Sequence, residues 1–543
     1  MRVLLGYLSQ WIAPGEDFMS FLPAGLPILA AVLEREGHEV MLANYSGMTP
    51  KQALRHVREF SPGAAGFSLF THNRFETFEL AGLIRRALPD CRILVGGPHA
   101  SPLGDEILKR EASIDWVIRG EGEGILPDLV RLVEVNPVRK DRKMIPGQAP
   151  APTDAAMESL LANQLPPRAT LSAATRITDL DSLPQGCLYG GKTFGLDPRI
   201  QYSLIIGSRG CAWACAFCAS PTLWGRRVSF RSARSIVDEI RQARDRFGIQ
   251  YFHIRDDNFT LNKERVLEFA SLLQREGPAV RFNCQARVDS VDDEILEALA
   301  ESGLEHIQFG VESGSPATLE RFAKDVSPDA VIRACRSARK AGIPASVYLI
   351  GAIPGETRED IRATNELLSK AGPNDAVVSP LAIFPGTELC RQATDDGDMN
   401  DSLWFRSREP AIFAAIGDHA AIARLEELSS LAGRITPPAP EIPPSLEGLS
   451  GMRLLSFGEQ SAALGMDEQA GRLFAAAMER APENPWCLYR LAEWHLDQGN
   501  PAEATRIAQA LTALVPRWED AASLLEAALA AANPKKKRNN RQN

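Results

Sequence analysis

The stretch RGCAWACAFCASP, residues 209–221, contains three cysteines within one short loop, at Cys211, Cys215 and Cys218. Three thiolates this close together can bind a soft metal, as zinc or as an iron–sulfur cluster. A structural zinc site needs a fourth ligand, usually from a second CxxC or CxxH pair, and the rest of the sequence has no such pair. Because three protein ligands leave one metal position open, the spacing predicts a catalytic metal centre. The alternative is three incidental buried cysteines.

The composition indicates a soluble globular protein of several domains. The 543 residues carry a net charge of −9 and are 45% hydrophobic, and no run of eighteen apolar residues occurs. The N-terminus is too weakly apolar for a signal peptide, so we expect a cytoplasmic protein without a membrane span and without nucleic acid as a main partner. In a reducing compartment the scattered cysteines are expected to be small buried hydrophobes: Cys91, Cys187, Cys284, Cys335, Cys390 and Cys487.

Residues 1–133 alternate short apolar runs with helical patterns, which predicts a doubly wound parallel sheet of five strands. Ligands of such sheets bind beyond the carboxyl ends of the strands. Those ends carry three loops, SLFTHN (Ser68–Asn73), GGPHAS (Gly96–Ser101) and RGEGEG (Arg119–Gly124). Their glycines would let the backbone approach a large flat ligand. The alternative is that all three are ordinary strand-to-helix turns.

Residues 134–200 lose periodicity and gather prolines, which is typical of a linker. From 201 to 395 the alternation resumes with six strand candidates, and six βα units predict a partial (β/α)6 barrel whose chemistry lies at the carboxyl ends of its strands. The three cysteines follow the first of these strands.

After residue 395 the strand patterns stop. Residues 396–450 are interpreted as a helical connector and hinge, and residues 451–532 as helical repeats. Gly465 and Pro482 recur as Gly499 and Pro516, 34 residues later, a period that resembles the tetratricopeptide repeat. Two repeats are few for a separate solenoid, so we expect them to pack on the barrel. The basic tail, 533–543, is expected to be disordered.

The cysteine spacing, with Phe217 before the last cysteine and Ser-Arg-Gly before the first, resembles the signature of radical S-adenosylmethionine enzymes. That resemblance implies a [4Fe–4S] cluster on the three cysteines, with S-adenosylmethionine chelating the fourth iron. One electron then splits the sulfonium and gives a 5′-deoxyadenosyl radical. An electron donor such as flavodoxin or ferredoxin would be a partner.

Three further motifs extend the resemblance along the barrel. VESG at Val311–Gly314 is similar to the fourth-strand site for the ribose, GAIPGE at Gly351–Glu356 to the fifth-strand turn against adenine, and RDDNF at Arg255–Phe259 to the second-strand end near the methionine moiety. Either aspartate of the last motif could take the ammonium group. The implied contacts are Phe217, Asp256, Asp257, Glu312, Ser313, Gly351, Pro354 and Gly355.

Because a barrel of this kind follows it in the sequence, the first domain resembles the cobalamin-binding domain of cobalamin-dependent radical enzymes. The sequence has no Asp-x-His-x-x-Gly loop, so the resemblance implies no histidine ligand to cobalt, neither His38 nor His72 nor His99. His99 is better placed as a contact to the corrin. The implied cobalamin contacts are Ser68, Thr71, Gly96, Gly97, His99, Gly120 and Glu121.

The resemblance implies a C-methyltransferase that acts on an unactivated carbon of a small molecule. The alternatives are a cobalamin-dependent radical cyclase or rearrangement enzyme, and a scaffold protein whose repeats recruit a protein partner. A methylthiotransferase is disfavoured, because that family has a second cysteine triad in its first domain and this chain has only Cys91 there.

Overall fold

A computed structural model describes residues 1–10, 21–136, 151–173, 176–409, 411–415 and 417–533. The basic tail predicted to be disordered lies outside the described residues, apart from Asn533. Within the described ranges no helix has the length and apolar character needed to cross a membrane.

The N-terminal domain is an α/β sandwich around a parallel sheet. Its elements, in chain order, are β1 (Arg2–Tyr7), α1 (Gly25–Arg35), β2 (Glu39–Asn44), α2 (Pro50–Phe60), β3 (Ala64–Ser68), α3 (Arg74–Ala87), β4 (Arg92–Gly96), α4 (Ala100–Arg110), β5 (Trp116–Arg119) and α5 (Leu126–Val135). These strands are buried on both faces, against two separate hydrophobic clusters, which is why they read as continuous apolar runs.

The predicted linker supplies two more strands to this sheet. It contains α6 (Thr153–Leu161), β6 (Ala169–Ser172), β7 (Lys192–Phe194) and α7 (Pro198–Gln201). The sheet therefore has seven parallel strands in the order β6-β5-β4-β3-β1-β2-β7, with the five predicted strands at its centre. The two edge strands have four and three residues, too few for their alternation to stand out from the surrounding prolines.

A partial barrel of six parallel strands follows, as predicted. Its elements are β8 (Leu204–Ile205), β9 (Ser208–Arg209), α8 (Ser220–Trp224), β10 (Ser229–Phe230), α9 (Ala233–Phe247), β11 (Tyr251–Ile254), α10 (Lys263–Glu276), β12 (Arg281–Ala286), α11 (Asp293–Ser302), β13 (Leu304–Glu312), α12 (Pro316–Arg321), α13 (Pro328–Ala341), β14 (Ala345–Gly351), α14 (Arg358–Ala371) and β15 (Asp375–Pro380). The strand order is β15-β14-β13-β12-β11-β8. Its helices are capped by local sequence signals, such as Ser232 before α9 and the Thr357–Asp360 capping box of α14.

A segment that we call the strap, residues 381–415, returns from the barrel to the first domain. It contains β16 (Ala382–Ile383), α15 (Glu388–Asp395), α16 (Leu403–Arg406) and β17 (Ile412–Phe413). Met399, Trp404 and Ile412 are buried in the same cluster as residues of α2, α3 and α4. The buried Arg74 guanidinium donates to the carbonyls of Trp404 (2.8 Å) and Ser407 (2.6 Å). The strap is thus part of the N-terminal core.

The first C-terminal helix, α17 (His419–Ala432), lies on β14, β15 and α14. The repeat helices pack against the amino ends of the barrel strands, and they are α18 (Gly451–Ala463), α19 (Asp467–Arg480), α20 (Pro485–Asp497), α21 (Pro501–Leu514) and α22 (Glu519–Ala532). Gly465 and Gly499, 34 residues apart, both take a positive φ, 73° and 72°. Ser456 Oγ donates to Gly342 O (2.5 Å) and Trp486 Nε1 to Gln250 O (3.3 Å). The repeats therefore close the end of the barrel opposite the cysteines.

Candidate active site

The cysteine loop joins β9 to α8 at the mouth of the barrel, and its three thiols are free and partly buried. Both sides of the loop are anchored: Ala216 N donates to Phe322 O (2.8 Å), and Ala216 O accepts from Leu389 N of the strap (2.8 Å). Phe217 packs edge-to-face on Phe322, with ring centroids 5.1 Å apart. The loop is therefore held between the barrel and the strap.

The electrostatic surroundings of the thiols suit an anionic ligand set. Burial raises the pKa of all three thiols, that of Cys218 to about 12. The nearby cations Lys324 and Arg287 act in the opposite direction and lower the pKa of Cys211 and Cys215. Metal ligands bind as thiolates, so cluster binding must release these protons. Three free thiols beside two cations fit a thiolate-bound iron–sulfur cluster.

Arg287 also orders the loop directly. Its guanidinium lies over the Trp213 ring, 4.2 Å from the centroid, and donates to Asp325 O at 2.8 Å. Neither Arg287 nor Lys324 was predicted from the sequence, because Arg287 follows β12 and Lys324 lies in the turn after α12, both far from the cysteines along the chain. For Arg287, its place at the carboxyl end of a barrel strand was the available signal.

Glu312 ends β13 in a strained conformation that points to a fixed role. Its φ is +71°, which is uncommon for a residue with a side chain, and the strand register shifts just before it. Its Oε1 accepts from Lys324 Nζ at 2.9 Å, and both side chains are almost buried. Ser313 turns away, because its Oγ pairs with Thr364 Oγ1 (3.3 Å) on α14.

The two aspartates of RDDNF have different surroundings. Asp256 is buried and accepts from Gly207 N (2.6 Å) and Ser208 Oγ (2.6 Å), so it supports the strand that leads into the cysteine loop. Asp257 is exposed at the mouth and accepts from Ser220 Oγ (2.5 Å). Asp257 is thus the one whose carboxylate can meet a ligand.

The GAIPGE turn follows β14 and crosses the mouth. Ala352 and Gly355 both take positive φ, 52° and 75°, so the chain reverses sharply. Arg321 donates to Pro354 O at 2.9 Å, while Gly351 remains paired in the strand. At the end of the turn, burial raises the pKa of the Glu356 carboxyl to about 7.

The strand ends of the first domain bring the predicted cobalamin contacts together. Ser68 is in register with Gly96, and a Cβ at Gly97 (φ +102°) would lie 2.9 Å from Leu69 O, so this close approach requires glycine. Thr71 Oγ1 bonds to His99 Nδ1 at 3.0 Å. Burial lowers the pKa of His99 to about 3, so this imidazole remains neutral.

The remaining histidines named above lie apart from one another. His38 is beside the N-terminus and Glu134, whereas His72 Nε2 bonds to Tyr7 Oη at 2.7 Å. The GGPHAS loop continues into α4, whose Pro102 contacts the region of Gly386 in the strap. That helix also packs on α8, next to the cysteines.

RGEGEG makes the most direct link between the domains. Arg209, two residues before Cys211, donates to Glu121 Oε1 (2.9 Å) and Glu123 Oε1 (2.6 Å), and all three side chains are buried. Glu121 Oε2 accepts from Ile177 N (2.8 Å), while Gly120 N donates to Ser101 Oγ (3.1 Å). The carboxyl edges of both sheets therefore meet at one mouth. Glu121 has an interdomain role that the sequence analysis missed.

Three family models match the chain: the B12 binding domain over residues 19–130, the radical SAM superfamily over 205–368 and a tetratricopeptide repeat over 463–529.

Relatives with curated names match about two thirds to three quarters of the chain. An uncharacterized methyltransferase of Pyrococcus horikoshii is 27% identical, over 68% of this chain and 78% of its own. The anaerobic magnesium-protoporphyrin IX monomethyl ester cyclase of Cereibacter sphaeroides is 24% identical, over 74% and 65%. The hopanoid C-3 methylase of Methylococcus capsulatus is 29% identical, over 68% of each chain.

Among solved structures, the radical S-adenosylmethionine methyltransferase TsrM from Kitasatospora setae, with cobalamin and a [4Fe–4S] cluster bound, superposes with a TM-score of 0.59 at 19% identity. The match covers 88% of this chain and 99% of that one, and it supports the fold. By the family models, the chain therefore has a B12 binding domain followed by a radical SAM domain, the pair of domains typical of cobalamin-dependent radical S-adenosylmethionine enzymes.

Proposed function

We propose that this enzyme is a methyltransferase that methylates a carbon atom of a small-molecule substrate. The observation that carries the proposal is the shared mouth, where Arg209 ties the RGEGEG loop of the first domain to the start of the cysteine loop. A methyl donor in the first domain would thereby lie close to a radical generator in the barrel. The names of the Pyrococcus and Methylococcus relatives favour methyl transfer.

The barrel residues have distinct roles in this proposal. Cys211, Cys215 and Cys218 hold the cluster, and the exposed Asp257 carboxylate accepts the ammonium group of S-adenosylmethionine. Glu312, oriented by Lys324, accepts from ribose hydroxyls. When bound, the cluster and S-adenosylmethionine supply a hydrogen-abstracting radical, and cobalamin supplies the methyl group.

Other residues of the barrel mouth contribute packing and support to the cofactor site and no charged contact. We propose that the backbone of Gly351, Pro354 and Gly355 packs on adenine, that Phe217 closes the loop against Phe322 and that Ser313 and Asp256 support their neighbours from behind.

In the first domain, we propose that Gly96, Gly97 and Gly120 provide close backbone approach for the corrin, with Ser68, Thr71, His99 and Glu121 around them. His99 is buried, and its Nδ1 is engaged by Thr71. Because the sequence has no Asp-x-His-x-x-Gly loop, no histidine is assigned as a cobalt ligand. An electron paramagnetic resonance spectrum of the Co(II) form with nitrogen splitting from a protein histidine would contradict that assignment.

A cyclase without methyl transfer is the second candidate, favoured by the relative from Cereibacter sphaeroides. The two differ in product mass, because methylation adds one methylene to the substrate. We also propose an electron donor such as flavodoxin or ferredoxin and a reducing compartment, the cytoplasm, which suits nine free cysteines. The outer face of the repeats is proposed as a site for a protein partner.

The test is anaerobic reconstitution with iron, sulfide, hydroxocobalamin and S-adenosylmethionine, followed by reduction in a metabolite extract. We expect a brown protein, 5′-deoxyadenosine, and a metabolite that gains one methylene. Cys215→Ala should abolish all three results, because it removes a cluster ligand, whereas Cys335→Ala, a buried cysteine of α13, should retain them. A colourless native protein that holds one zinc would contradict the cluster.

A further inference from the structure

The interior of the barrel is polar. Alternate residues of β11–β14 are buried in the hydrophobic core beneath the helices, for example Phe252, Ile307 and Val347. Because side chains alternate between the two faces of a strand, the residues between them face the lumen. The lumen residues are His253, Arg255, Asn283, Gln285, His306, Gln308, Ser346 and Tyr348.

Most of these groups pair with one another across neighbouring strands. Asn283 Nδ2 lies 3.0 Å from His253 Nδ1, His306 Nε2 lies 2.7 Å from Ser346 Oγ, and Gln285 Nε2 donates to Gln308 Oε1 at 3.4 Å. The interior of a closed (β/α)8 barrel is typically filled by Val, Ile and Leu. Here most of the lining residues are only partly buried, so the lumen is lined by hydrogen-bonding groups that are accessible to solvent.

Arg255 is different from its neighbours, because it is a cation without a carboxylate. Within the described ranges no Asp or Glu oxygen lies within 4.0 Å of its guanidinium, although most other half-buried arginines have such a partner or several carbonyls. Its positive charge acts on two lumen residues, because after burial Arg255 is the next influence on the pKa of both His253 and Tyr348 and lowers each. Asp375 does not supply the missing carboxylate, because it lies on the exposed edge strand β15.

Arg255 lies deeper in the barrel, further from the mouth, than the proposed ribose contact Glu312. By strand register, Ile254 is opposite Cys284, so Arg255 is level with Gln285, which is opposite Gln308. Gln308 lies four positions before Glu312 on β13, on the side away from the mouth. Arg255 therefore faces the space beneath the proposed ribose site.

We propose that Arg255, in the lumen of the barrel, binds an anionic group of the substrate, a carboxylate or a phosphate. This inference rests on the proposed function and specifies its substrate class as polar and anionic. A planar guanidinium matches both anions with two parallel hydrogen bonds. An apolar substrate would desolvate Arg255 and the lumen amides without replacing their lost hydrogen bonds.

The test uses inorganic phosphate and acetate as probes. The full chain is reconstituted with cluster, cobalamin and S-adenosylmethionine and kept oxidised, so that no turnover occurs. Binding is followed by saturable line broadening of the ³¹P and ¹³C resonances, with acetamide as the neutral probe. We expect saturable binding of at least one anion, a loss of affinity of about tenfold or more in Arg255→Gln, and a smaller loss in Arg255→Lys, which retains the charge.

The matched control is Arg336→Gln, on the exposed face of α13, which should bind the anion as the wild type does. Phosphate binding alone would assign a phosphoryl group, and acetate binding alone a carboxylate. The proposal is overturned if neither anion binds saturably, or if Arg255→Gln binds both unchanged. It is also overturned if that variant weakens S-adenosylmethionine instead, which would place Arg255 in the cofactor site.

The product offers an independent readout. The metabolite that gains a methylene should be retained by an anion exchanger at neutral pH. A neutral methylated product would overturn this inference and leave the proposed methyl transfer intact. If anion binding is observed but no methylated product forms, the proposed methyl transfer is overturned and the anion site is retained.

Discussion

At the scale of single residues, the mouth combines positive-φ positions with buried charge. Glu312 and Ala352 adopt conformations that disfavour side chains, and Glu312 is also paired with a buried lysine. Such strain persists only where the surrounding structure enforces it. At this mouth two neighbouring strand ends are therefore fixed in place before any ligand arrives.

Glu356 should make stability depend on pH. Its pKa is raised to about 7 by burial, and it is 3% exposed, so the folded state favours the protonated form. Its stabilising contribution is complete below about pH 4.5 and is lost as pH rises through about 7. Relative to the wild type, Glu356→Gln should gain about 1.4 kcal/mol of unfolding free energy per pH unit between these values.

Urea titrations of both proteins at pH 5, 6, 7 and 8 measure this difference. The control is Glu359→Gln, the same substitution at an exposed side chain near the start of α14. A constant difference between Glu356→Gln and the wild type across the range would show that the carboxyl titrates normally.

At the scale of elements, the interdomain link depends on one arginine between two loops. Arg209→Gln leaves the buried carboxylates of Glu121 and Glu123 without their cation, so we expect a loss of about 3–5 kcal/mol in unfolding free energy. Denaturant unfolding measures the loss. Arg226→Gln, an exposed arginine of the same region, should have little effect.

The triple variant R209Q/E121Q/E123Q distinguishes the cost of the unpaired carboxylates from the loss of Arg209 packing. It removes the unpaired carboxylates and should recover part of the loss. If it is no more stable than the single variant, the loss comes from packing of Arg209 against Trp224.

The sequence predicted the elements with long, regular patterns. The five central strands, the six barrel strands and the 34-residue period all rest on apolar runs or repeated residues, and the fold contains each of them. It could not predict β6 and β7, which are short, or the pairing of Arg209 with Glu121, which joins residues 88 positions apart. Such contacts depend on tertiary packing, which leaves no local periodicity.

At the scale of the whole molecule, the repeats depend on a buried ion network at the lower end of the barrel. Glu459 pairs with Arg281 (2.5 Å), at the start of β12, and with Arg490 (2.7 Å) on α20. These cations, despite burial, hold the pKa of Glu459 below its usual range.

Glu459→Ala should therefore leave Arg281 buried and unpaired. We expect a loss of about 3–5 kcal/mol, and an earlier change in tryptophan fluorescence than in far-ultraviolet circular dichroism, since Trp486 lies at this contact. Glu447→Ala, at an exposed site, is the control. Coincident transitions with unchanged midpoints would contradict a coupling role for Glu459.

The strap also imposes an order on biosynthesis. The sheet of the first domain leaves the ribosome early, but Trp404 and Ile412 of its core are encoded about 280 residues later. At about 5–20 residues per second, the nascent sheet waits roughly 15 to 55 s for them. During that interval the apolar surfaces of α3 and α4 are uncovered and available to chaperones. Slow or arrested translation between these two points should therefore lower the yield of folded enzyme more than a pause after residue 415.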